Sequence, residues 1–532
     1  MLKRIASTCV LTLVAFAATT AAAQSFRVQC PTSTITHPVA ANNNAEPNYT
    51  GPTTLGATAA GYLAPTANVN GAIKCQQISG GDGYATMGDG TQTYMFSFGP
   101  LSGLADIAAG KPGTEFPSVF NGLYGGAVPL APGDPATTVD KGGAFPFNGA
   151  VGLTPDLDAN LGAGVTNAPI DGHVDPRQIM DIGVMNGNIP APLMAIDEDD
   201  EFFLTLSNVG MIMRPDLFEQ HTVHFHGYPN ASAFYDGVPD ASVAINIGGS
   251  MTYYYLAPDA GSYFYHCHIT PPEHLQMGMV GQIYVRPRQD RVPATTTLYA
   301  ALQAQQNDLR TACNPTKDIV CTNPLPAVNT GATGGATVVT GGAGGYAYND
   351  GDGSTHYDVE YPLQIHGFDP NFHFVGMTFN PEGFADMKDK YFLLNGRSYP
   401  DTVTAGPMQT VSADGAQHYS QPLSSIINIP AGKRALLRIS DLDVSEYQTL
   451  ASLGIPMKVV GYNAKLLRDQ EGNNLYYNTN SITLAGGESL DVILDATGYT
   501  SGQVFYLYTP NLDHLSNDAE NFGGLMTEVH IL

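Results

Sequence analysis

Two short segments of the chain concentrate side chains that can bind a transition metal. Residues 221–227 read His-Thr-Val-His-Phe-His-Gly, and residues 266–279 read His-Cys-His-Ile-Thr-Pro-Pro-Glu-His-Leu-Gln-Met-Gly-Met. Together they contain six of the 14 histidines in the chain. Imidazole nitrogens and the sulfur atoms of cysteine and methionine are ligands for copper, zinc and iron. The sequence therefore predicts metal binding at these two segments.

The alternation of side chains along a strand divides these ligands between two sites. Successive residues of a β-strand point to opposite faces of the sheet. His266 and His268 therefore share one face, while Cys267 points to the other. His224 and His226 share a face in the same way. The pattern predicts two different metal sites that lie back to back.

The ligands on the cysteine side are those of a blue copper electron-transfer centre. That centre combines a thiolate, two imidazoles and a weakly bound axial thioether. Cys267, His274 and a methionine come from one loop, and His221 comes from a separate strand. On the opposite side, four imidazoles could bind one or more further copper ions. Cys267 would then be covalently adjacent to ligands of both sites.

These residues resemble the multicopper oxidase and copper nitrite reductase superfamily. Its pattern is His-x-x-His-x-His-Gly followed by His-Cys-His, a further histidine and Gly-Met. The resemblance implies that Met279 is the axial ligand, because the family's His-x-x-x-Gly-Met run places it five residues after the histidine. The implied ligands of the type 1 copper are then His221, Cys267, His274 and Met279.

The same resemblance assigns roles to the other four histidines and to one acid. It implies a type 2 copper at His224 and a type 3 copper pair at His226, His266 and His268. Asp236 opens an Asp-Gly-Val-Pro run where many family members carry an acid near the dioxygen site. Asp236 is therefore a candidate catalytic residue that relays protons, and the alternative is an Asp-Gly turn.

Short apolar segments indicate β-strands along much of the chain. Residues 202–206, Phe-Phe-Leu-Thr-Leu, and residues 281–285, Gly-Gln-Ile-Tyr-Val, alternate with period two, and long helical periodicity is scarce. With 59 Gly and 37 Pro, this pattern favours a β-sandwich architecture. Together with the resemblance, it predicts an all-β fold of two cupredoxin-like Greek-key β-sandwich domains with a loop-rich N-terminal extension.

The resemblance also extends beyond the ligands. Residues 187–196 resemble the opening strand of a first multicopper oxidase domain, and residues 261–265 lead into His-Cys-His as they do in that family. The C-terminal block resembles a copper-free cupredoxin domain, chiefly at residues 394–401, 429–439 and 487–492.

Five parts are predicted along the chain. They are a signal peptide at 1–23, a loop-rich extension at 24–165, a copper-binding cupredoxin domain at 166–290, a linker at 291–356, and a second cupredoxin-like domain without an evident type 1 site at 357–532. We expect a strand at Thr93–Phe98, a short helix at 297–311 and a flexible Gly-rich connector at 331–345.

The N-terminus and the cysteines predict export. Lys3 and Arg4 precede an apolar stretch and an Ala-Ala-Ala site before Gln24, which is typical of a secretory signal. The protein is therefore expected in the periplasm or outside the cell. In an oxidising compartment the simplest arrangement is two disulfides and one functional thiolate. Cys30 and Cys75 lie in one region, and Cys313 and Cys321 lie close together in another.

Charge and hydropathy exclude two classes of partner. The net charge of −26 argues against binding nucleic acid or an anionic membrane surface. Beyond the predicted signal, no apolar stretch approaches the roughly 20 residues that a membrane span needs. The expected partners are a small reducing substrate or redox protein and dioxygen.

The chain departs from the family pattern in ways that leave its function open. A complete trinuclear copper cluster in this family uses four His-x-His pairs, and this chain has two. Nitrite reductases carry an aspartate where this chain has His224. Two subunits could pool their pairs, an adjacent subunit could complete a single-copper site, or only the type 1 copper could be bound. The first two outcomes imply a homo-oligomer.

The expected function is that of an exported multicopper oxidase-like oxidoreductase. It would take electrons at the type 1 copper and pass them through His-Cys-His to a histidine-bound copper site that reduces dioxygen. The alternatives are a copper nitrite reductase-like enzyme and a non-enzymatic cupredoxin that carries electrons or binds copper. Each of the eight histidines outside the two segments is predicted to have a structural or surface role rather than to bind metal.

Overall fold

The computed structural model describes residues 28–121, 185–227, 232–305, 324–335, 344–376, 383–411 and 417–532, except residues 104, 105, 108 and 258. The predicted signal peptide, Cys313, Cys321 and His173 lie outside these residues. Within them, no helix has both the length and the apolar character that crossing a bilayer requires.

The first half of the described chain forms a β-sandwich. Its strands are β3 (Ile73–Thr86), β4 (Gln92–Pro100), β5 (Ala191–Asp197), β6 (Glu201–Gly210), β7 (His224–His226), β8 (Ser250–Leu256), β9 (Gly261–His266) and β10 (Val280–Arg286), and a separate two-stranded sheet of β1 (Thr54–Ala57) and β2 (Leu63–Ala67) precedes them. One sheet has the order β4-β3-β6-β8 and the other β5-β10-β9-β7. Phe202, Leu204 and Leu206 alternate along β6 and are buried in the core between the sheets.

Strands β3 and β4 come from the region that the sequence predicts to be a loop-rich extension. The predicted strand at Thr93–Phe98 lies within β4. However, β3 runs parallel to β6 from the Ile73–Glu201 pair onward, so the predicted boundary at residue 166 divides one sheet. Buried polar residues such as Gln77 interrupt the apolar pattern of β3 and are stabilised by hydrogen bonds. That interruption hides the strand from sequence reasoning.

A second sandwich follows in the C-terminal half. Its region contains β11 (Gly345–Tyr346), β12 (His356–Tyr357), β13 (Val359–Phe368), β14 (Tyr391–Leu394), β15 (Met408–Val411), β16 (Gln417–Gln421), β17 (Ile427–Ile429), β18 (Arg434–Asp441), β19 (Gln448–Leu453), β20 (Met457–Tyr462), β21 (Lys465–Leu466), β22 (Tyr477–Thr479), β23 (Ser481–Leu484), β24 (Glu488–Asp495), β25 (Val504–Tyr508) and β26 (Met526–Ile531). Sheets β14-β13-β18-β24-β20-β21 and β17-β26-β25-β19-β23 enclose its aliphatic core. The predicted all-β fold with two sandwiches is confirmed.

Helices are short in the described residues. They are α1 (Pro117–Phe120), α2 (Pro271–Gln276), α3 (Leu298–Gln305) and α4 (Pro370–Gly376). The helix predicted at 297–311 corresponds to α3, and its predicted C-terminal part lies outside the described residues. The N-terminal segment is tied to β3 by a Cys30–Cys75 disulfide. One of the two predicted disulfides is therefore present.

A buried polar interface joins the two sandwiches. The Glu360 carboxylate accepts hydrogen bonds from Arg286 of β10 at 2.7 Å and from Arg438 of β18 at 3.0 Å. Gln282 of β10 donates to the Arg438 carbonyl at 2.7 Å. Arg438 is fully buried. Because unpaired buried charges are costly, this interface holds the second sandwich firmly against the strands that lead to the metal ligands.

We predict that Glu360→Gln lowers the free energy of unfolding by about 3 kcal/mol at neutral pH, because two buried guanidinium groups lose their shared carboxylate. Burial alone would raise the pKa of Glu360, but Arg286 and Arg438 lower it to about 2 from its ordinary value of 4.5. Stability from a group with a lowered folded-state pKa is present above the unfolded pKa and is lost as the pH falls through the folded one. Urea titrations should therefore show the wild type and the variant converging between pH 4.5 and pH 2.

Lys433→Gln is the matched control, since Lys433 makes an exposed ion pair with Asp358. It should change the unfolding free energy by less than about 1 kcal/mol. If the difference in unfolding free energy between the wild type and Glu360→Gln does not change with pH, the lowered pKa assigned to Glu360 is contradicted.

Candidate metal centres

Three of the predicted ligands of the cysteine site meet in the core of the first sandwich. Cys267 directly follows β9, His274 lies on α2, and His221 pairs with Ile245 in the segment before β7. The Cys267 Sγ atom lies 3.2 Å from Nδ1 of His274 and 4.0 Å from Nδ1 of His221. All three side chains are fully buried. One sulfur and two nitrogens therefore converge as a soft-metal site requires.

The charges at this site favour the thiolate. Burial alone would raise the pKa of Cys267, but His274 and His221 lower it well below its ordinary value. Burial would lower the pKa of His274, whereas Cys267 and Glu219 raise it to about 10. The Thr222 backbone N–H also points to the sulfur, at 3.4 Å. Since the thiolate is the form that binds metal, the cysteine is prepared for coordination.

The two candidate axial methionines have different surroundings. The Met279 N–H donates to the His274 carbonyl at 2.9 Å, and the Met279 carbonyl accepts from the Cys267 N–H at 3.2 Å. Met277 instead packs against α4, where a Cβ added at Gly376 would lie 3.2 Å from its sulfur. Both methionines are fully buried. The backbone thus binds Met279 directly to two ligand residues, and Met277 contacts the other sandwich.

Sequence reasoning missed two residues that shape the cysteine site. A Cβ at Gly80 of β3 would lie 2.5 Å from Cδ2 of His221, so only glycine lets the strand pass behind this ring. The sequence feature that could have indicated this role is the pair of adjacent glycines, Gly80 and Gly81, inside a strand. Glu219 was also missed; its carboxylate lies 3.4 Å from Nε2 of His274 and is 24% exposed. It links the buried histidine to the surface.

The opposite face holds the predicted cluster of histidines. The ligand atoms of His224, His226 and His266 all lie within 4.8 Å of one another. The pairing of β7 with β9 sets His224 opposite His266. The His268 ring centroid is 5.2 Å from that of His224. The structure therefore brings all four histidines together, on the side of β9 away from the Cys267 sulfur.

Backbone carbonyls orient two of these rings. Nδ1 of His224 lies 2.6 Å from the Asp236 carbonyl, and Nδ1 of His266 lies 2.8 Å from the Cys267 carbonyl. Nε2 of His266 then faces Nδ1 of His226 at 3.4 Å, within the cluster. Burial lowers the pKa of His266 to about 3, which keeps the ring neutral, the form that coordinates metals.

The Asp236 side chain lies at the back of His224. Its Oδ1 is 3.6 Å from Nδ1 of that ring, which is the edge opposite Nε2. The Asp236 carbonyl makes the shorter contact with the ring.

A cleft of about 510 Å³ opens beside His226 and His266. Pro271, Pro272 and Leu275 of the first sandwich line one wall. The second sandwich provides the other wall with residues Leu442–Tyr447 and Ala485–Gly487. Among these described lining residues, the second sandwich supplies carboxylates but no histidine.

Three of the scattered histidines in the described part of the chain contact a carboxylate or a backbone carbonyl. His37 contacts Glu201 at 2.7 Å, His366 contacts the Leu442 carbonyl at 3.1 Å, and His514 contacts Glu446 at 3.0 Å. None of them joins a group of three potential metal ligands. Within the described residues, no other histidine is grouped with the cluster of His224, His226, His266 and His268.

Comparison with known proteins identifies the domain that carries these ligands. A family described as multicopper oxidase matches residues 168–290. Laccase 1 of Metarhizium acridum is 31% identical over 127 residues, which cover 24% of this chain and 19% of the laccase. The copper-containing nitrite reductase of Rhizobium meliloti is 36% identical over 109 residues, which cover 20% of this chain and 26% of the reductase.

The curated relatives are thus matched over only about a fifth to a quarter of their own length. Among solved structures, the blue copper oxidase from Nitrosomonas europaea aligns at 20% identity with a TM-score of 0.42, over 65% of this chain and 78% of that one. The matched region contains every predicted metal ligand. Residues 168–290 therefore match the multicopper oxidase family, and this region is similar in sequence both to a laccase and to a copper-containing nitrite reductase.

Proposed function

We propose that the protein is a copper-dependent oxidoreductase of the multicopper oxidase type. It takes electrons from a small reducing substrate or redox protein at the cysteine site and delivers them to dioxygen at the histidine site. One observation carries the proposal: Cys267 lies between His221 and His274, while its chain neighbours His266 and His268 lie in a second cluster on the opposite face. A simple electron carrier has no need of that second cluster.

The residues present fit copper at both sites. A thiolate with two imidazoles and a thioether is the type 1 ligand set, and here it would consist of His221, Cys267, His274 and Met279. On the other face, the converging ring nitrogens of His224, His226 and His266 suit a further copper. Copper bound at the two sites would supply one-electron redox chemistry.

The chain provides the connection between the sites and a point of entry. Cys267 is joined by single peptide bonds to His266 and His268, so the route between the sites follows the backbone. His274 is fully buried, and Glu219 beside its Nε2 is partly exposed. We infer that the electron donor approaches the protein at Glu219.

Protons for dioxygen reduction need a separate route. Asp236 contacts Nδ1 of His224, so we assign to it the orientation of this ring. Glu446 lines the cleft, is 45% exposed, and hydrogen bonds to the buried His514. It is therefore better placed to carry protons from solvent into the cleft.

Nitrite reduction is the second candidate, and the compact histidine group favours it. Three imidazoles within 4.8 Å of one another in one chain suit a single copper without a partner subunit. The identity of 36% to a protein named copper-containing nitrite reductase points the same way. A third possibility, binding of copper at the type 1 site alone, would make the protein an electron carrier.

Export remains part of the proposal. The Cys30–Cys75 disulfide is expected in an oxidising compartment. Together with the predicted signal peptide it supports a periplasmic or secreted protein. Completion of the histidine site between chains would require a homo-oligomer.

Colour tests the type 1 site. The oxidised, copper-loaded protein should absorb strongly in the visible through thiolate-to-copper charge transfer, and Cys267→Ser should abolish that absorption. Absorption spectra with copper analysis before and after the substitution measure it. The assignment fails if the variant keeps the wild-type spectrum.

The axial ligand can be identified by a matched pair of substitutions. Met279→Leu should shift the reduction potential while most of the colour persists, because the axial bond is weak. Met277→Leu conserves volume and so retains the packing of this residue against α4, and its potential should stay at the wild-type value. Redox titration of both variants measures the difference, and the opposite result would assign Met277.

Activity separates the candidate functions. Two assays are run on the wild type: oxygen consumption with a phenol or a reduced metal ion, and nitrite consumption with a reduced dye. We expect activity in the oxygen assay. His226→Ala should lower that activity by at least about 100-fold while leaving the colour, because His226 lies on the other face. His530→Ala, a partly exposed histidine paired with Glu528, should change neither. If the purified protein binds one copper per chain and shows neither activity in any oligomeric state, the proposal that it is an enzyme is refuted.

A further inference from the structure

The loop that carries three of the proposed type 1 ligands is held by the second sandwich. This loop, residues 267–279, includes Cys267, His274 and Met279. Gln276 lies between the last two and is fully buried. A buried amide is costly unless its donor and acceptor are both satisfied. Its partners therefore show what fixes the loop.

Both ends of the Gln276 amide bind the second sandwich. Its Oε1 accepts from the Asp369 N–H at 2.9 Å, and its Nε2 donates to Asp389 Oδ1 at 2.9 Å. Its backbone carbonyl lies 2.9 Å from Nε2 of His373. Asp369 directly follows β13, His373 lies on α4, and Asp389 precedes β14. Three points of one sandwich thus hold one residue of the other.

The anchor points are themselves fixed. The Asp389 Oδ2 atom accepts from the Ser445 hydroxyl, and Asp369 Oδ2 accepts from the Lys388 N–H at 2.8 Å. The two aspartates that bind the Gln276 amide are therefore themselves held by hydrogen bonds.

Helix α4 also contacts the segment that leads to the remaining ligand. The Gly376 carbonyl accepts a hydrogen bond from Arg214, which lies seven residues before His221. On the same glycine, the absence of a Cβ makes room for Met277. One short helix of the second sandwich therefore touches both ligand-bearing segments.

We propose that Gln276 is a positioning residue, through which the second sandwich holds the 267–279 loop and so sets the reduction potential of the type 1 site. The proposal rests on the type 1 assignment made above. It gives a role to the sandwich that supplies no ligand: it keeps His274 and Met279 in place relative to Cys267 in either oxidation state. Removal of the amide should loosen the loop.

Two measurements on the full-length protein test this. In the metal-free protein, Gln276→Ala should accelerate hydrogen exchange by at least about tenfold, as expected for the loss of a buried hydrogen bond. The amides to follow are Met277, which donates to the Glu273 carbonyl, and Met279, which donates to the His274 carbonyl. In the copper-loaded protein, the same variant should shift the reduction potential and the ratio of the visible bands.

Gln282→Ala is the matched control. Gln282 is equally buried at the same interface and donates to the Arg438 carbonyl, but it lies outside the loop. It should leave loop exchange and potential unchanged even if it lowers the melting temperature. If Gln276→Ala behaves like Gln282→Ala in exchange, or keeps the wild-type potential, the proposal is overturned.

A second variant covers the case in which Gln276→Ala does not fold. Asp389→Ala removes one anchor from the other sandwich and should change exchange and potential in the same direction; unchanged values would overturn the proposal. The exchange measurement needs no copper. A wild-type protein without Cys267-dependent colour would therefore refute the type 1 assignment, while the exchange result would still decide whether Gln276 holds the loop.

Discussion

Cys267 places a thiol in the dry core of a β-sandwich, where an unpaired thiolate would be unfavourable. His274 and His221 at 3.2 and 4.0 Å, and the Thr222 N–H at 3.4 Å, offset that cost. The surrounding structure must therefore keep the thiol, the two imidazoles and this N–H together. β3 must pass close behind one ring, which demands Gly80, and the loop with the other ring must be held from outside the first sandwich.

The second sandwich meets that demand without contributing a proposed ligand. Its carboxylate Glu360 and its partners bind β10 across a buried interface, and α4 lies against both ligand-bearing segments. The same sandwich forms the outer wall of the cleft beside His226 and His266. We propose that the second sandwich, which supplies no proposed ligand, fixes the ligand loop of one site and lines the access to the other.

The histidine side remains a half-cluster within the described residues. Three imidazoles converge, while the facing wall offers Asp443 and Glu446. An acidic wall suits proton delivery during the reduction of a small acceptor, whether dioxygen or nitrite. It does not provide the imidazoles of a second half. Any larger copper cluster would therefore need histidines from outside the described residues.

The sequence by itself determined the ligand types, the division into two faces and the all-β class, because strand alternation is a local rule that needs only neighbouring residues. The strand at Thr93–Phe98 and the pairing of Cys30 with Cys75 were within its reach for similar reasons. The roles of Gly80, Glu219 and Gln276 could not be predicted from the sequence. Each depends on a partner far along the chain. The register of β3 on β6, the position of α2 beside Glu219 and the docking of the two sandwiches bring those partners within a few ångströms.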